Sequence, residues 1–99
     1  MSSHPNETVR AHIWVKGRVQ GVGFRAHVEY YALHMGALGW VRNVRNDMVE
    51  AVAEGSRELV ERFITMVSEG PRMARVDEVK VEWESPTGEF GGFSVKHSL

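Results

Sequence analysis

The sequence contains no cysteine among its 99 residues, which excludes disulfide bonds, a thiolate nucleophile and a cysteine-ligated metal. It also lacks an excess of charge of either sign, because 12 Lys and Arg stand against 13 Asp and Glu and leave a formal net charge of −1. Binding to nucleic acid or to an anionic membrane through a global basic field needs a large positive charge, so we expect neither partner. Any anion-binding site must therefore be formed by a local group of residues and not by the overall charge.

Long apolar runs are missing as well. No stretch approaches the length of a membrane span, and the N-terminal MSSHPNET lacks the apolar core of a signal peptide. We therefore expect a soluble, cytoplasmic protein. The length fits a single domain over residues 1–99, with residues 1–8 as a polar, flexible N-terminus, and we expect a monomer.

The spacing of apolar residues predicts the secondary structure. A first strand is indicated by alternation of Val9, Ala11, Ile13 and Val15 with more polar residues. A first helix is indicated by Phe24, Val28, Tyr31 and Met35 at helical intervals, with Gly36 as its C-cap. Two strands, residues 38–45 and 48–54, follow, joined by a tight turn in which Asn46 and Asp47 take positive φ. A second helix runs from the N-cap Ser56 to Gly70, a fourth strand contains Val79, Val81 and Trp83, and a short final strand contains Phe93 and Val95.

This order predicts an α+β protein of the ferredoxin-like βαββαβ type, an antiparallel sheet with two helices on one face and a short C-terminal strand. Right-handed crossovers place strand three between strands one and two, and strand four beside strand one. Strands one and two then run in the same direction. Their C-terminal ends share one edge of the sheet, which brings residues 17–25 close to Asn43.

Residues 17–25, GRVQGVGFR, connect the first strand to the first helix. The glycines Gly17, Gly21 and Gly23 allow consecutive amides to point into one concavity, and Arg25 adds a forked donor that suits a phosphate. A tight turn without a ligand is an equally good interpretation of the spacing alone. The G-x-G-x-x-A pattern lacks the downstream acidic residue of a dinucleotide site, and no Lys-Ser/Thr pair follows for a Walker loop.

Histidines and carboxylates suggest no metal site or cofactor. His27 and His34 lie two helical turns apart, about 10 Å along the axis, which is too far to share one ion. Glu50 and Glu54 share a strand face, and we interpret them as solvated surface residues. The aromatic residues Trp14, Trp40, Trp83 and Phe93 could stack on nucleobases, but the basic charge that RNA binding requires is absent, so packing is favoured.

Four segments together resemble the acylphosphatase family: GRVQGVGFR, GWVRN, VEAVAEG and the Gly-Pro pair before the last long strand. The resemblance covers residues 9–96. It implies that the substrate phosphate is bound by the loop residues and the arginine that ends the first motif, and that the asparagine of GWVRN orients the attacking water. The implied phosphate-binding residues are Arg18, Val19, Gln20, Gly21, Val22, Gly23 and Arg25, and the implied catalytic residues are Arg25 and Asn43. The chain departs from the family at the hairpin, where Asn46-Asp47 replaces the usual Asp-Gly.

The resemblance implies a hydrolase that cleaves the carboxyl-phosphate bond of small acyl phosphates without a metal ion or cofactor. Two other classes of function stay open. One is a binding module that holds phosphate without turnover, similar to the acylphosphatase-like part of larger carbamoyl-phosphate-handling proteins. The other is an RNA-binding domain, for which the net charge gives no support.

Overall fold

The computed structural model describes residues 7–99, which form five strands and two helices in the predicted order. The elements are β1 (Thr8–Arg18), α1 (Phe24–Met35), β2 (Leu38–Val44), β3 (Met48–Ser56), α2 (Arg57–Glu69), β4 (Arg75–Glu84) and β5 (Phe93–Val95). The segment predicted to be flexible, residues 1–8, lies outside the described residues except for Glu7 and Thr8, and Thr8 already begins β1.

The strands form one sheet in the order β4-β1-β3-β2-β5. Since β3 is antiparallel to both β1 and β2, these two strands run in the same direction, as the crossover rule predicted. The short β5 pairs parallel with β2, so the sheet is mixed rather than wholly antiparallel. The ferredoxin-like βαββαβ fold is confirmed, with β5 added at its edge.

Both helices cover the same face of the sheet. The inward residues of β1, β2 and β3 join the buried side chains of α1 and α2 in a single core. Tyr31 was predicted on the buried face of α1, but its side chain is 44% exposed and Ala32 is buried instead. Buried residues recur every four positions as Phe24, Val28 and Ala32, and this ridge packs on the sheet without Tyr31.

The predicted helix ends are confirmed by their hydrogen bonds. The Ser56 hydroxyl accepts from the amide of Leu59 at 3.2 Å and caps α2. Gly36 ends α1 with φ 78° and donates its amide to carbonyls of the last turn, which is the left-handed cap expected of glycine.

The β2–β3 turn differs from its prediction. Val44 pairs with Met48, so three residues close the hairpin, and the positive φ of 58° falls on Arg45 rather than on Asn46 or Asp47. Arg45 donates its amide to the carbonyl of Leu99 at 2.9 Å. A contact with the C-terminal segment therefore accompanies the conformation of Arg45, and no local pattern indicates that contact.

The interpretation of Glu50 and Glu54 as solvated residues is wrong. They lie on the sheet face away from the helices, yet they are only 6% and 2% exposed. Glu54 accepts from Arg10 Nη1 at 2.9 Å, and Glu50 accepts from Arg42 Nε at 2.7 Å. The amide of Thr87 also donates to Glu54, because the segment between β4 and β5 folds over this face. Ion pairs and hydrogen bonds compensate the burial of both carboxylates.

Candidate active site

A cavity of about 330 Å³ lies where the loop after β1, the start of α1 and the end of β2 meet. Residues of the predicted loop and strand end line it: Val19, Gln20, Gly21, Gly23, Arg25 and Asn43. The shared direction of β1 and β2 brings these segments to one edge of the sheet, as predicted.

The loop obtains its shape from glycines with left-handed backbone conformations. Gly21 and Gly23 have φ of 75° and 76°, and a Cβ atom at either position would meet nothing within 4 Å. Glycine is needed at these two positions because of the left-handed backbone angle, and not because a Cβ atom would clash with a neighbour. The side chain of Val19 is 1% exposed and anchors the loop in the core.

The N-terminus of α1 adds donors to the cavity. Gly23 is its N-cap, no side chain caps the helix, and its first turn contains no acidic residue. The first amides of a helix have no intrahelical acceptor, and the helix dipole places partial positive charge there. Arg25 lies in this first turn, and it forms no ion pair with any of residues 7–99. The result is a concentration of donors suited to an anion.

Asn43 lines the cavity from the end of β2. Its side-chain oxygen Oδ1 is buried and has no hydrogen-bond partner among the described residues. The backbone of Asn43 is held on both sides, since Asn43 pairs with Val49 of β3 and its carbonyl accepts from the amide of Leu99 at 2.9 Å. A buried, unpartnered acceptor at a fixed position is energetically costly, and this one belongs to a residue that lines the cavity.

The side chain of Gln20 is turned toward the hairpin. Its amide nitrogen Nε2 lies 2.9 Å from the carbonyl of Met48 and within 3.2 Å of those of Val44 and Arg45. The loop and the β2–β3 turn are thereby joined directly.

Three residues of the predicted glycine segment lie outside this lining. Gly17 belongs to a bulge of β1, where a Cβ atom would meet the carbonyl oxygen of Arg75 at 2.2 Å, so its role is close strand packing. Arg18 is exposed and lines a separate depression. Val22 is partly buried against the core.

Sequence reasoning missed four residues of the lining: Phe24, Ala26, Glu29 and Val95. Glu29 follows Arg25 by one helical turn, and this i,i+4 spacing was a usable signal. Val95 arrives on β5, whose pairing with β2 is a tertiary contact that no local pattern indicates.

Other site types find no support in the part of the chain that the structure covers. Residues 7–99 contain no group of three His, Asp or Glu side chains that could hold a metal ion. None of the helices in this range is long and apolar enough to cross a membrane.

The chain is similar to known proteins along almost its whole length. An acylphosphatase from Roseiflexus sp. (strain RS-1) is 49% identical over 89 residues, covering 90% of this chain and 96% of the relative. The crystal structure of acylphosphatase from Bacillus subtilis superposes with a TM-score of 0.84 at 33% identity, covering 89% of this chain and 98% of that one. An acylphosphatase structure from Coxiella burnetii gives a TM-score of 0.85 at 32% identity, covering 97% and 100%.

The family model for acylphosphatase matches residues 11–95, a range that includes the loop, Arg25 and Asn43. With relatives this similar along almost their whole length, the resemblance seen in the motifs is confirmed, and the chain belongs to the acylphosphatase family.

Proposed function

We propose that this protein hydrolyses the carboxyl-phosphate bond of small acyl phosphates without a metal ion. The loop and Arg25 hold the phosphate, and Asn43 orients the attacking water. One observation carries the proposal: Arg25 and Asn43 line the same small cavity, and the Oδ1 of Asn43 is buried without a hydrogen-bond partner among the described residues. Membership of the acylphosphatase family supports it independently.

Phosphate binding uses backbone amides more than side chains. The loop residues 18–23 and the first turn of α1 offer N–H groups, and the guanidinium of Arg25 offers a planar pair of donors. Among the described residues that line the cavity, only Arg25 and Glu29 carry charge. In the reaction, these donors stabilise the negative charge on the phosphoryl oxygens as the transition state forms.

Asn43 orients the water but does not accept its proton. Its Oδ1 accepts a hydrogen bond from the water, which fixes the direction of attack on phosphorus. A carboxamide cannot take up a proton at neutral pH, so the proton passes to a phosphoryl oxygen of the substrate. The new bond joins the water oxygen to phosphorus, the bond between phosphorus and the carboxyl oxygen breaks, and carboxylate and inorganic phosphate are the products.

The chemistry of the leaving group explains why so few groups suffice. The departing carboxylate has a conjugate acid with a pKa near 4, comparable to that of a side-chain carboxyl, so it leaves without protonation. No general acid is required, and binding, charge stabilisation and positioning account for the rate.

The test is hydrolysis of benzoyl phosphate and acetyl phosphate with a chelator present. We expect turnover well above the uncatalysed rate, and a loss of roughly 10²–10³-fold in kcat/KM for Arg25→Ala. Arg72→Ala removes an exposed arginine outside the cavity and serves as the matched control. Absence of turnover, or turnover unchanged in Arg25→Ala, would refute the proposal. Phosphate binding together with inactivity would favour a binding module instead.

A further inference from the structure

We propose that Gln20 is a positioning residue: its side-chain amide fixes the phosphate loop relative to the strand end that carries Asn43, and it is not a phosphate ligand. This inference rests on the proposed function and assigns a separate role to the side chain of one loop residue. It follows from where the two N–H groups of that side chain point.

Gln20 Nε2 donates to carbonyls of the β2–β3 hairpin. The distances are 2.9 Å to the Met48 oxygen, 3.1 Å to the Arg45 oxygen and 3.2 Å to the Val44 oxygen. A carboxamide has two N–H groups, so three acceptors occupy both of them, with one hydrogen shared. No N–H group of this side chain is left to donate to a phosphate, and only the backbone amide of Gln20 can do so.

The turn that Gln20 contacts is irregular. Three residues connect β2 to β3, and Arg45 has φ 58°, so the carbonyls of residues 45–47 lie outside the register of the two strands. Gly17 of β1 satisfies another of them, since its amide donates to the Asp47 carbonyl at 3.0 Å. Two contacts from the end of β1 and its loop therefore hold the turn.

The hydrogen bonds of Gln20 lie next to the residue that is proposed to orient the attacking water. Val44, one acceptor of Gln20, directly follows Asn43 in the chain. The distance between the loop amides and the Asn43 side chain thus depends on a link one residue away. Because a displacement of about 1 Å in a reacting geometry can cost roughly 10²-fold in rate, breaking the link should affect turnover strongly.

Gln20→Leu and Gln20→Glu test the assignment. The first removes the donors, and the second turns a carboxylate toward the carbonyls. We expect kcat for benzoyl phosphate to fall by roughly 10–100-fold in Gln20→Leu and further in Gln20→Glu. Inhibition by inorganic phosphate should change less than about 3-fold, because the backbone amides and Arg25 remain. Thr65→Val removes a side-chain-to-backbone hydrogen bond on α2, outside the cavity lining, and should leave kcat unchanged.

A double variant separates positioning from stability. If Gln20 acts by aligning Asn43, Gln20→Leu combined with Asn43→Ala should be no more than about 3-fold slower than Asn43→Ala alone. Losses that multiply would overturn the inference, as would a phosphate inhibition constant that rises in step with KM. If Gln20→Leu keeps the wild-type kcat at temperatures well below its Tm, the side chain has only a structural role and the inference is overturned.

A variant that does not fold and a wild-type protein without activity are also informative. Should Gln20→Leu fail to fold, Gln20→Asn keeps an amide that is one methylene short of the carbonyls and allows the same comparison. An inactive wild-type protein would overturn the proposed function and this inference together. An active wild-type protein with unaltered Gln20 variants would overturn this inference alone.

Discussion

Arg25, in the first turn of α1, and Asn43, next to the last residue of β2, line one cavity although they belong to different elements. The relationship arises from the parallel direction of β1 and β2 with β3 between them. It brings a positively charged side chain and a residue with a buried acceptor, unpartnered among the described residues, to the lining of one cavity.

Asn43→Ala should lower kcat by roughly 10²-fold while the inhibition constant of inorganic phosphate changes only a few-fold. Orientation of water acts mainly in the transition state, whereas phosphate is held by the loop and Arg25. Steady-state kinetics with benzoyl phosphate and phosphate inhibition measure the two effects. Asn46→Ala removes an exposed asparagine outside the cavity and should leave both unchanged. Equal losses in kcat and phosphate affinity would contradict the role of Asn43.

Glu29→Gln should strengthen phosphate binding by roughly 2–5-fold. Glu29 lines the cavity one helical turn after Arg25, so its carboxylate repels an anion and weakens the field of the guanidinium. Isothermal titration with inorganic phosphate at low ionic strength measures the change, which should shrink as salt is added. Glu69→Gln makes the same change in net charge at an exposed position on α2 and should have no effect. Weaker binding in Glu29→Gln would refute this electrostatic argument.

Glu54 should account for part of the decrease in the free energy of unfolding at acid pH. Burial raises the pKa of its carboxyl, but hydrogen bonds from the Thr87 amide, Arg10 and the Gly88 amide outweigh burial and hold the pKa below its ordinary value. A carboxyl with a depressed folded pKa stabilises the fold above its unfolded pKa of about 4.3, and this stabilisation is lost as the pH falls through the folded pKa.

In Glu54→Gln, the free energy of unfolding at pH 7 should fall by about 1–3 kcal/mol, and its decline below about pH 4.5 should be shallower than in the wild type. Urea denaturation across this pH range measures both effects. Glu69→Gln, which changes an exposed carboxyl, is the control and should retain the wild-type slope. An unchanged acid slope in Glu54→Gln would show that the buried carboxylate is not responsible.

Substitutions of two glycines should separate packing from site geometry. Gly17→Ala should lower the free energy of unfolding by more than about 2 kcal/mol, because the new Cβ would lie 2.2 Å from a backbone oxygen of β4 that cannot move alone. Gly21→Ala meets no atom within 4 Å and should cost only about 1 kcal/mol for its positive φ, yet reduce kcat/KM. Thermal denaturation and the hydrolysis assay distinguish the two. Similar stability losses in both variants would contradict the assignment of Gly17 to strand packing.

The local elements were predictable because their causes lie in neighbouring residues. Alternation placed β1, Ser56 marked the start of α2, and Gly36 marked the end of α1. Handedness of the crossovers then predicted the strand order, and with it the approach of the loop to Asn43. The roles of these residues in binding and catalysis remain proposals, which the variants above test.

Tertiary structure alone decided the rest, for a common physical reason. The burial of Glu50 and Glu54, the left-handed Arg45, the entry of Val95 into the cavity and the link from Gln20 to the hairpin all depend on partners distant in the chain. Periodicity reports which face of an element is apolar, but it does not reveal which remote donor satisfies a polar group. The sequence by itself determined the elements, their order and the residues at the sheet edge. Only the folded chain decided that the Oδ1 of Asn43 has no hydrogen-bond partner among residues 7–99 and that the side chain of Gln20 donates to the turn.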